Sequence, residues 1–220
     1  MAKCLAREYR INVSEQRVYR LMRDMKLPKM STVKPFYPKH KTASDDVCPN
    51  ILKQKFDQPS PNKVWVCDFT YLRAGSRFYY LCVILDLFSR KVIAFKISPK
   101  LDTKLAIDTL DMAVASRDVK SGLIFHSDRG CQFTSEAFRK HLDALNIVQS
   151  FSAKGHPYDN AVMECFFKYL KKEETNRRKY SNFEELKLSI FQYIHGFYNS
   201  FRPHSHNNGM TPNDAELNFL

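Results

Sequence analysis

The sequence predicts an α/β fold: a mixed five-stranded sheet flanked by helices, preceded by a small basic helical segment. Three observations predict it. Residues 63–98 hold three consecutive strand-like runs with short connections, the pattern of an antiparallel meander. Residues 103–201 then alternate helical and strand periodicities, the pattern of helices packed on a sheet. Residues 1–44 carry eleven Lys or Arg against three acids, so the net charge of +12 is concentrated at one end.

That basic end comes first. "VSEQRVYRLMRDMKL" (13–27) puts Val18, Leu21, Met22 and Met25 on one helical stripe, with Ser14 as N-cap and Arg17, Arg20 and Arg23 outward. "AKCLAREYRIN" ahead of it reads as a second short helix. Two short helices, the second basic, suit a helix-turn-helix over residues 1–27 with the three arginines on DNA. An ordinary amphipathic pair with a solvated basic face has the same spacing. Residues 28–60, rich in proline and small polar side chains without periodicity, read as an extended linker.

The core follows over residues 61–178. "KVWVCDFTYL" (63–72) alternates as a strand, "RFYYLCVILDLFSR" (77–90) is a long β-branched and aromatic run, and "KVIAFKIS" (91–98) is the third strand. Residues 103–116 have helical spacing through Leu105, Ile107, Leu110 and Ala113. "GLIFHSD" (122–128) is the fourth strand, 135–146 a helix capped by Thr134 or Ser135, and "IVQSFS" (147–152) the fifth strand. Long helices cover 158–178 and 182–201, the second belonging to a C-terminal helix and tail (179–220) packed on the core.

Several function classes are excluded. No apolar run approaches the ~20 residues that span a bilayer, and the N-terminus lacks an apolar signal core. The six cysteines form no Cys-x-x-Cys pair, which argues against a zinc site or a disulfide framework and for a reducing cytoplasm. His126 and Arg129 have the His-x-x-Arg spacing of tyrosine recombinases but follow a strand, with no tyrosine after Tyr198 to act as nucleophile. Cys67 and Cys165 read as small packing residues, and Trp65 as core.

Three acids stand out. Asp68 lies inside the first strand, Asp128 ends the fourth, and Glu164 sits on a helix beside apolar neighbours, with 35 residues between the last two. Each taken alone reads equally as a satisfied polar residue. Together they suggest a site, because neighbouring first and fourth strands would bring the aspartates to one edge, where a packed helix adds Glu164. Clustered carboxylates repel, and all-oxygen donors select Mg²⁺ or Mn²⁺. Two such ions can activate a water or a 3′-hydroxyl against a phosphodiester. Asn160, Lys168 and Lys171 lie at helical spacing from Glu164 and would share its face, where a phosphate backbone could lie.

These motifs resemble those of insertion-sequence transposases of the insertion-sequence-three group, specifically the second-reading-frame product, which share the core of retroviral integrases. The matching pieces are "VYRLMRDMKL", "PNKVWVCDFTYL", "YYLCVILDLFSRKVI", "HSDRGCQFTS", "SAKGHPYDNAVMECFFKYLKKE" and "YNSFRPHSHNNGMTPNDAE". The resemblance implies a ribonuclease H-like fold and a metal-dependent DNA transposase/integrase. It implies an Asp–Asp–Glu triad at Asp68, Asp128 and Glu164 holding two Mg²⁺ (or Mn²⁺), with Lys171 as the pattern's lysine. The implied partners are double-stranded DNA at element ends and target, further copies of the chain, and the first-reading-frame product. The setting is the bacterial cytoplasm and nucleoid. A DNA-binding regulator without catalysis and a plain nuclease of the same fold remain as alternatives. Gly130 is expected to turn the backbone away from Asp128, and Arg202 and His204 to serve DNA contact or local packing. Family members have a longer N-terminal part, so Met1 is read as falling partway into the second helix-turn-helix.

Overall fold

The computed structural model describes residues 2–27 and 49–219. Two short helices open it, α1 (Ala2–Tyr9) and α2 (Glu15–Asp24), and the Ser14 side chain caps α2 by accepting from the Arg17 N–H (3.3 Å). The stripe expected on α2 is not a buried one. Only Val18 is buried, while Leu21 and Met25 are exposed.

The core is a five-stranded mixed sheet in the order β3-β2-β1-β4-β5. β1 (Val64–Ala74), β2 (Arg77–Asp86) and β3 (Val92–Ser98) form the antiparallel meander. β4 (Ile124–Ser127) and β5 (Val148–Phe151) add in parallel on the other side of β1. β2 ends at Asp86 rather than running on to residue 90. The Asp86 carboxylate accepts from the Asn62 N–H (2.8 Å) and the Phe88 N–H (2.9 Å), and Arg90 adopts a positive φ of 61°, which turns the chain.

Alternation along the strands gives the sheet two apolar faces. Trp65, Cys67, Cys82, Ile84 and Phe125 face one side and pack on α3 (Thr103–Ser116) and α5 (Glu136–Ala144), with the one-turn α4 (Cys131–Thr134) beside them. Val64, Val66, Leu81, Val83 and Leu85 face the other and pack on α6 (Ala161–Leu170) and α7 (Phe183–Phe191). Trp65 is core as expected, and Cys67 packs against Cys82 with the sulfurs 3.6 Å apart. The long helices are segmented. A 3₁₀ turn (Pro157–Asn160) precedes α6, a wide π turn (Lys171–Thr175) follows it, and a second π segment (Gln192–Tyr198) extends α7.

Residues 28–48 of the expected linker lie outside the described residues. The rest of it, 49–60, is not a free connector. Pro49 C=O accepts from the Phe151 N–H (2.9 Å), Leu52 is buried, and the Ile51 and Leu52 N–H groups donate to Ser150 Oγ (3.0 and 3.2 Å). The C-terminal tail ends in α8 (Pro212–Leu217), which the sequence reading did not resolve as a helix; its Glu216 accepts from Ser89, Lys91 and Arg117. No helix among the described residues is long and apolar enough to cross a membrane.

Candidate active site

The parallel register of β1 and β4 pairs Val64 with Ile124 and Cys67 with Ser127. One further step along both strands reaches Asp68 and Asp128, so backbone register alone sets two carboxylates side by side where the ladder ends. Asp68 is partly buried and Asp128 exposed. Asp68 Oδ1 accepts from the Phe69 N–H (2.7 Å), and Asp128 Oδ1 from the Gly130 N–H (2.9 Å). Burial pushes the Asp68 carboxyl well above the usual carboxylate range. The charges of Asp128 and Glu164 add to that, while the Phe69 N–H and Lys171 oppose it.

Gly130 serves this pair for a different reason from the expected one. Its φ of −59° and ψ of 144° are open to any residue, so no special turn requires glycine. A Cβ there would lie 3.0 Å from Asp128 Oδ1 and 3.2 Å from Gln132 Oε1. Glycine gives the carboxylate room.

Behind Asp128 the chain is pinned. The Arg129 Nε donates to the Ser152 carbonyl (2.8 Å). The buried His126 ring spans Ser150 Oγ at Nδ1 (2.9 Å) and Ser152 Oγ at Nε2 (3.3 Å). Ser150 Oγ already accepts two backbone N–H groups, so its own proton goes to Nδ1 and the imidazole proton sits on Nε2. Burial lowers the His126 pKa to about 4, against the pull of nearby Asp159, so the ring is neutral at pH 7.

The third acid comes from α6. Met163, Phe166, Phe167 and Leu170 face the core, which leaves Glu164 and Lys168 exposed. Partial burial raises the Glu164 pKa. Lys171 begins the π turn, and its Nζ stands 4.9 Å from the centre of the Tyr71 ring. Burial lowers the Lys171 pKa and the charge of Asp68 raises it, so ammonium and carboxylate feel each other. No group of three or more His, Cys, Asp or Glu among the described residues is near enough to hold one metal ion. The two aspartates lie together at the end of the ladder, and the Glu164 charge acts on Asp68 from α6. The donors are all carboxylate oxygens in mutual repulsion, which fits hard divalent cations and not zinc.

The start of α6 is set by Asp159, which the sequence reading passed over. Its carboxylate accepts from Asn50 Nδ2 (2.8 Å), Gln54 Nε2 (2.7 Å) and the Ala153 N–H (2.8 Å). Burial works to raise its pKa, but the Ala153 N–H, Gln54 and the neighbouring histidines His126 and His156 hold it below the usual value. An acid just before a helical run was the available signal; its three partners, distant in sequence, carried none.

Two sequence expectations are corrected here. Asn160 does not share the exposed face of Glu164. It is buried, and its Oδ1 and Nδ2 have no hydrogen-bond partner among the described residues. It belongs to the 3₁₀ turn, where ~120° per residue breaks the helical phase that the i,i+4 reading assumed. A buried amide does not present itself to a duplex. Cys165 is exposed and not a packing residue, because α6 turns Met163, Phe166, Phe167 and Leu170 to the core and leaves Cys165 outside beside Glu164. Arg202 and His204 turn out to be packing groups. Arg202 pairs with Glu173 (3.0 Å) and stacks 3.9 Å over the Tyr169 ring, and His204 is buried edge-on to Tyr198 (4.7 Å). Arg17, Arg20 and Arg23 are all exposed on α2, with Arg23 paired to Asp24 (3.3 Å).

Comparison with known proteins bears on this geometry. Two integrase core domain families match, one over residues 58–157 and one over 145–212. The chain belongs to the integrase core family. This integrase core is 39% identical over 168 residues to the transposase for insertion sequence element IS904 of Lactococcus lactis, covering 76% of this chain and 66% of that protein. It is also 39% identical over 170 residues to the transposase InsF for insertion sequence IS3A of Escherichia coli K12, covering 77% and 59%. The chain thus spans 59–66% of the length of these curated relatives. Among solved structures, the catalytic core domain of HTLV-2 integrase in complex with magnesium (trimeric form) superposes with a TM-score of 0.56 at 18% identity, over 72% of this chain and 98% of that one. The catalytic core domain of BIV integrase gives 0.53 at 18% identity, over 72% and 95%. The mixed sheet with flanking helices is therefore the ribonuclease H-like integrase fold.

Proposed function

We propose that this integrase core is the catalytic part of an insertion-sequence transposase that cuts element-end DNA and joins the resulting 3′-hydroxyl to a target. The observation that carries the reading is the side-by-side pair Asp68 and Asp128 at the end of the parallel β1–β4 ladder, with the Glu164 helix packed on the same face of the sheet. Asp68, Asp128 and Glu164 would hold two Mg²⁺ or Mn²⁺ ions. The magnesium complex of the HTLV-2 core supports that choice of metal. When bound, such ions polarise the scissile phosphate and stabilise charge on the attacking and leaving oxygens.

The chain's own residues supply the rest. The aspartates present fixed oxygens, Gly130 keeps Asp128 uncrowded, and Lys168 and Lys171 take DNA phosphates beside the acids. Arg17, Arg20 and Arg23 on α2 bind duplex DNA as a helix-turn-helix. Two DNA ends require a homo-oligomer on DNA, and the first-reading-frame product is the partner for end recognition. The working site is the bacterial cytoplasm, on the nucleoid.

The test incubates the full chain with Mg²⁺ and labelled DNA carrying its element ends, beside an Asp128→Asn variant. Cleavage and joining by the wild type alone is expected. Cleavage without joining would mark a nuclease. Salt-sensitive binding with no cleavage by either protein would mark a DNA-binding regulator and overturn the reading.

A further inference from the structure

Resting on the reading of Lys171 as a phosphate ligand, we propose that Tyr71 and the Glu173–Arg202 ion pair are positioning residues that hold the Lys171 ammonium beside Asp68 for a DNA phosphate. Neither is implied by the acids themselves.

Lysine carries a flexible four-carbon stem, and fixing it on a phosphate costs its rotamer freedom unless the protein has already placed it. Here it is placed from two sides. On the inner side the Tyr71 ring, three residues beyond Asp68 on β1, lies beneath the ammonium at 4.9 Å, within cation–π range. On the outer side the backbone that carries Lys171 is a π turn closed by the Asn176 N–H to the Lys171 carbonyl (2.8 Å). Such turns are uncommon and need tertiary anchors.

The anchor is Glu173. Both its oxygens accept from Arg202 Nε (3.1 and 3.0 Å), and Tyr193 Oη donates to it (2.7 Å). The two charged side chains are largely buried, at 14% and 18% exposed, so the pair is screened little and its geometry is fixed. Arg202 is held in turn by stacking on Tyr169. The C-terminal "RPH" segment thereby reaches the acid site through the turn that bears Lys171.

The test is metal-free DNA binding by the full chain, with a labelled blunt duplex in a salt series containing chelator. Lys171→Gln should lower the slope of log Kd against log salt by about one unit, the loss of one phosphate contact. Tyr71→Leu and Glu173→Gln should each weaken binding about threefold at fixed salt, the scale of one cation–π contact. Tyr71→Phe, which keeps the ring, should bind as wild type. Neither Tyr71→Leu nor Glu173→Gln should weaken binding further in a Lys171→Gln background. A wild-type slope for Lys171→Gln would remove the phosphate role on which the inference rests. A normal Lys171→Gln loss, with Tyr71→Leu either silent or equally costly in both backgrounds, would overturn the positioning role alone. Thermal melting of Tyr71→Phe and Tyr71→Leu separates misfolding from mispositioning.

Discussion

Asp68 and Asp128 are placed by strand register, whereas Glu164 and Lys171 ride on one helix and the wide turn that follows it. The aspartates inherit the precision of a backbone ladder, and each takes a local N–H within two residues of itself. The helix-borne pair depends on contacts made elsewhere: Asp159 at the start of α6, Glu173–Arg202 after its end, and the tail behind. The difference teaches that one half of the site is preformed by topology. The other half is set by a chain of polar contacts.

The largest expected effect attacks the helix half at its origin. Asp159→Ala removes a buried carboxylate shared by two amides and a backbone N–H, all part-buried, and should cost about 3 kcal/mol in chemical denaturation. A loss under ~1 kcal/mol would show that α6 is placed by apolar packing alone.

Metal addition probes both halves at once. Near-saturating Mn²⁺ should stabilise the wild type by about 3 kcal/mol at a hundredfold excess over Kd. Asp68→Asn should abolish that shift, and Glu164→Gln should keep part of it. Equal losses would erase the distinction between the two halves. Asp68→Asn should also raise the melting temperature without metal, because it removes a partly buried charge repelled by Asp128.

Acid should loosen the tail that backs the helix half. Burial, with Arg202 nearby, lowers the His204 pKa to about 4, below the ~6.5 of an unfolded histidine. The unfolded chain therefore binds more protons between those values. The stabilising contribution is complete above pH ~6.5 and is lost as pH falls toward 4, by up to about 3 kcal/mol. His126 is lowered to about 4 in the same way and adds a like dependence, so His204→Gln should remove about half of the slope over that window when melting is followed against pH.

The smallest effect belongs to the strand half. Gly130→Ala needs the Asp128 carboxylate to give way by tenths of an ångström. It should cost about 1 kcal/mol of stability and about tenfold in Mn²⁺ affinity by calorimetry.

Much of this was legible in the chain. The meander and the α3 boundaries at Thr103–Ser116 follow from local alternation and helical spacing, and the adjacency of the first and fourth strands is expected from the mixed sheet they imply. So did the three acids, because a charge inside an apolar run is conspicuous wherever it occurs. Residues 49–56 read as linker because their partners, Ser150, Phe151 and Asp159, lie about a hundred positions away. Asn160 and Cys165 were misread for different reasons. The Asn160 reading carried α-helical phase across a 3₁₀ turn just before α6, whereas Cys165 was read from the usual burial of free cysteine, which says nothing about which side of α6 meets the core.

The sequence by itself determined the element order, the strand faces and which acids interrupt apolar runs, since these depend on side chains a few residues apart. Only the tertiary structure decided that Asp68 and Asp128 end in register, that Asp159 and not Asn160 organises the helix start, and that Arg202 acts through Glu173 on the turn bearing Lys171. Those contacts join residues far apart in the chain, and a pairing energy between distant side chains leaves no local periodicity to read.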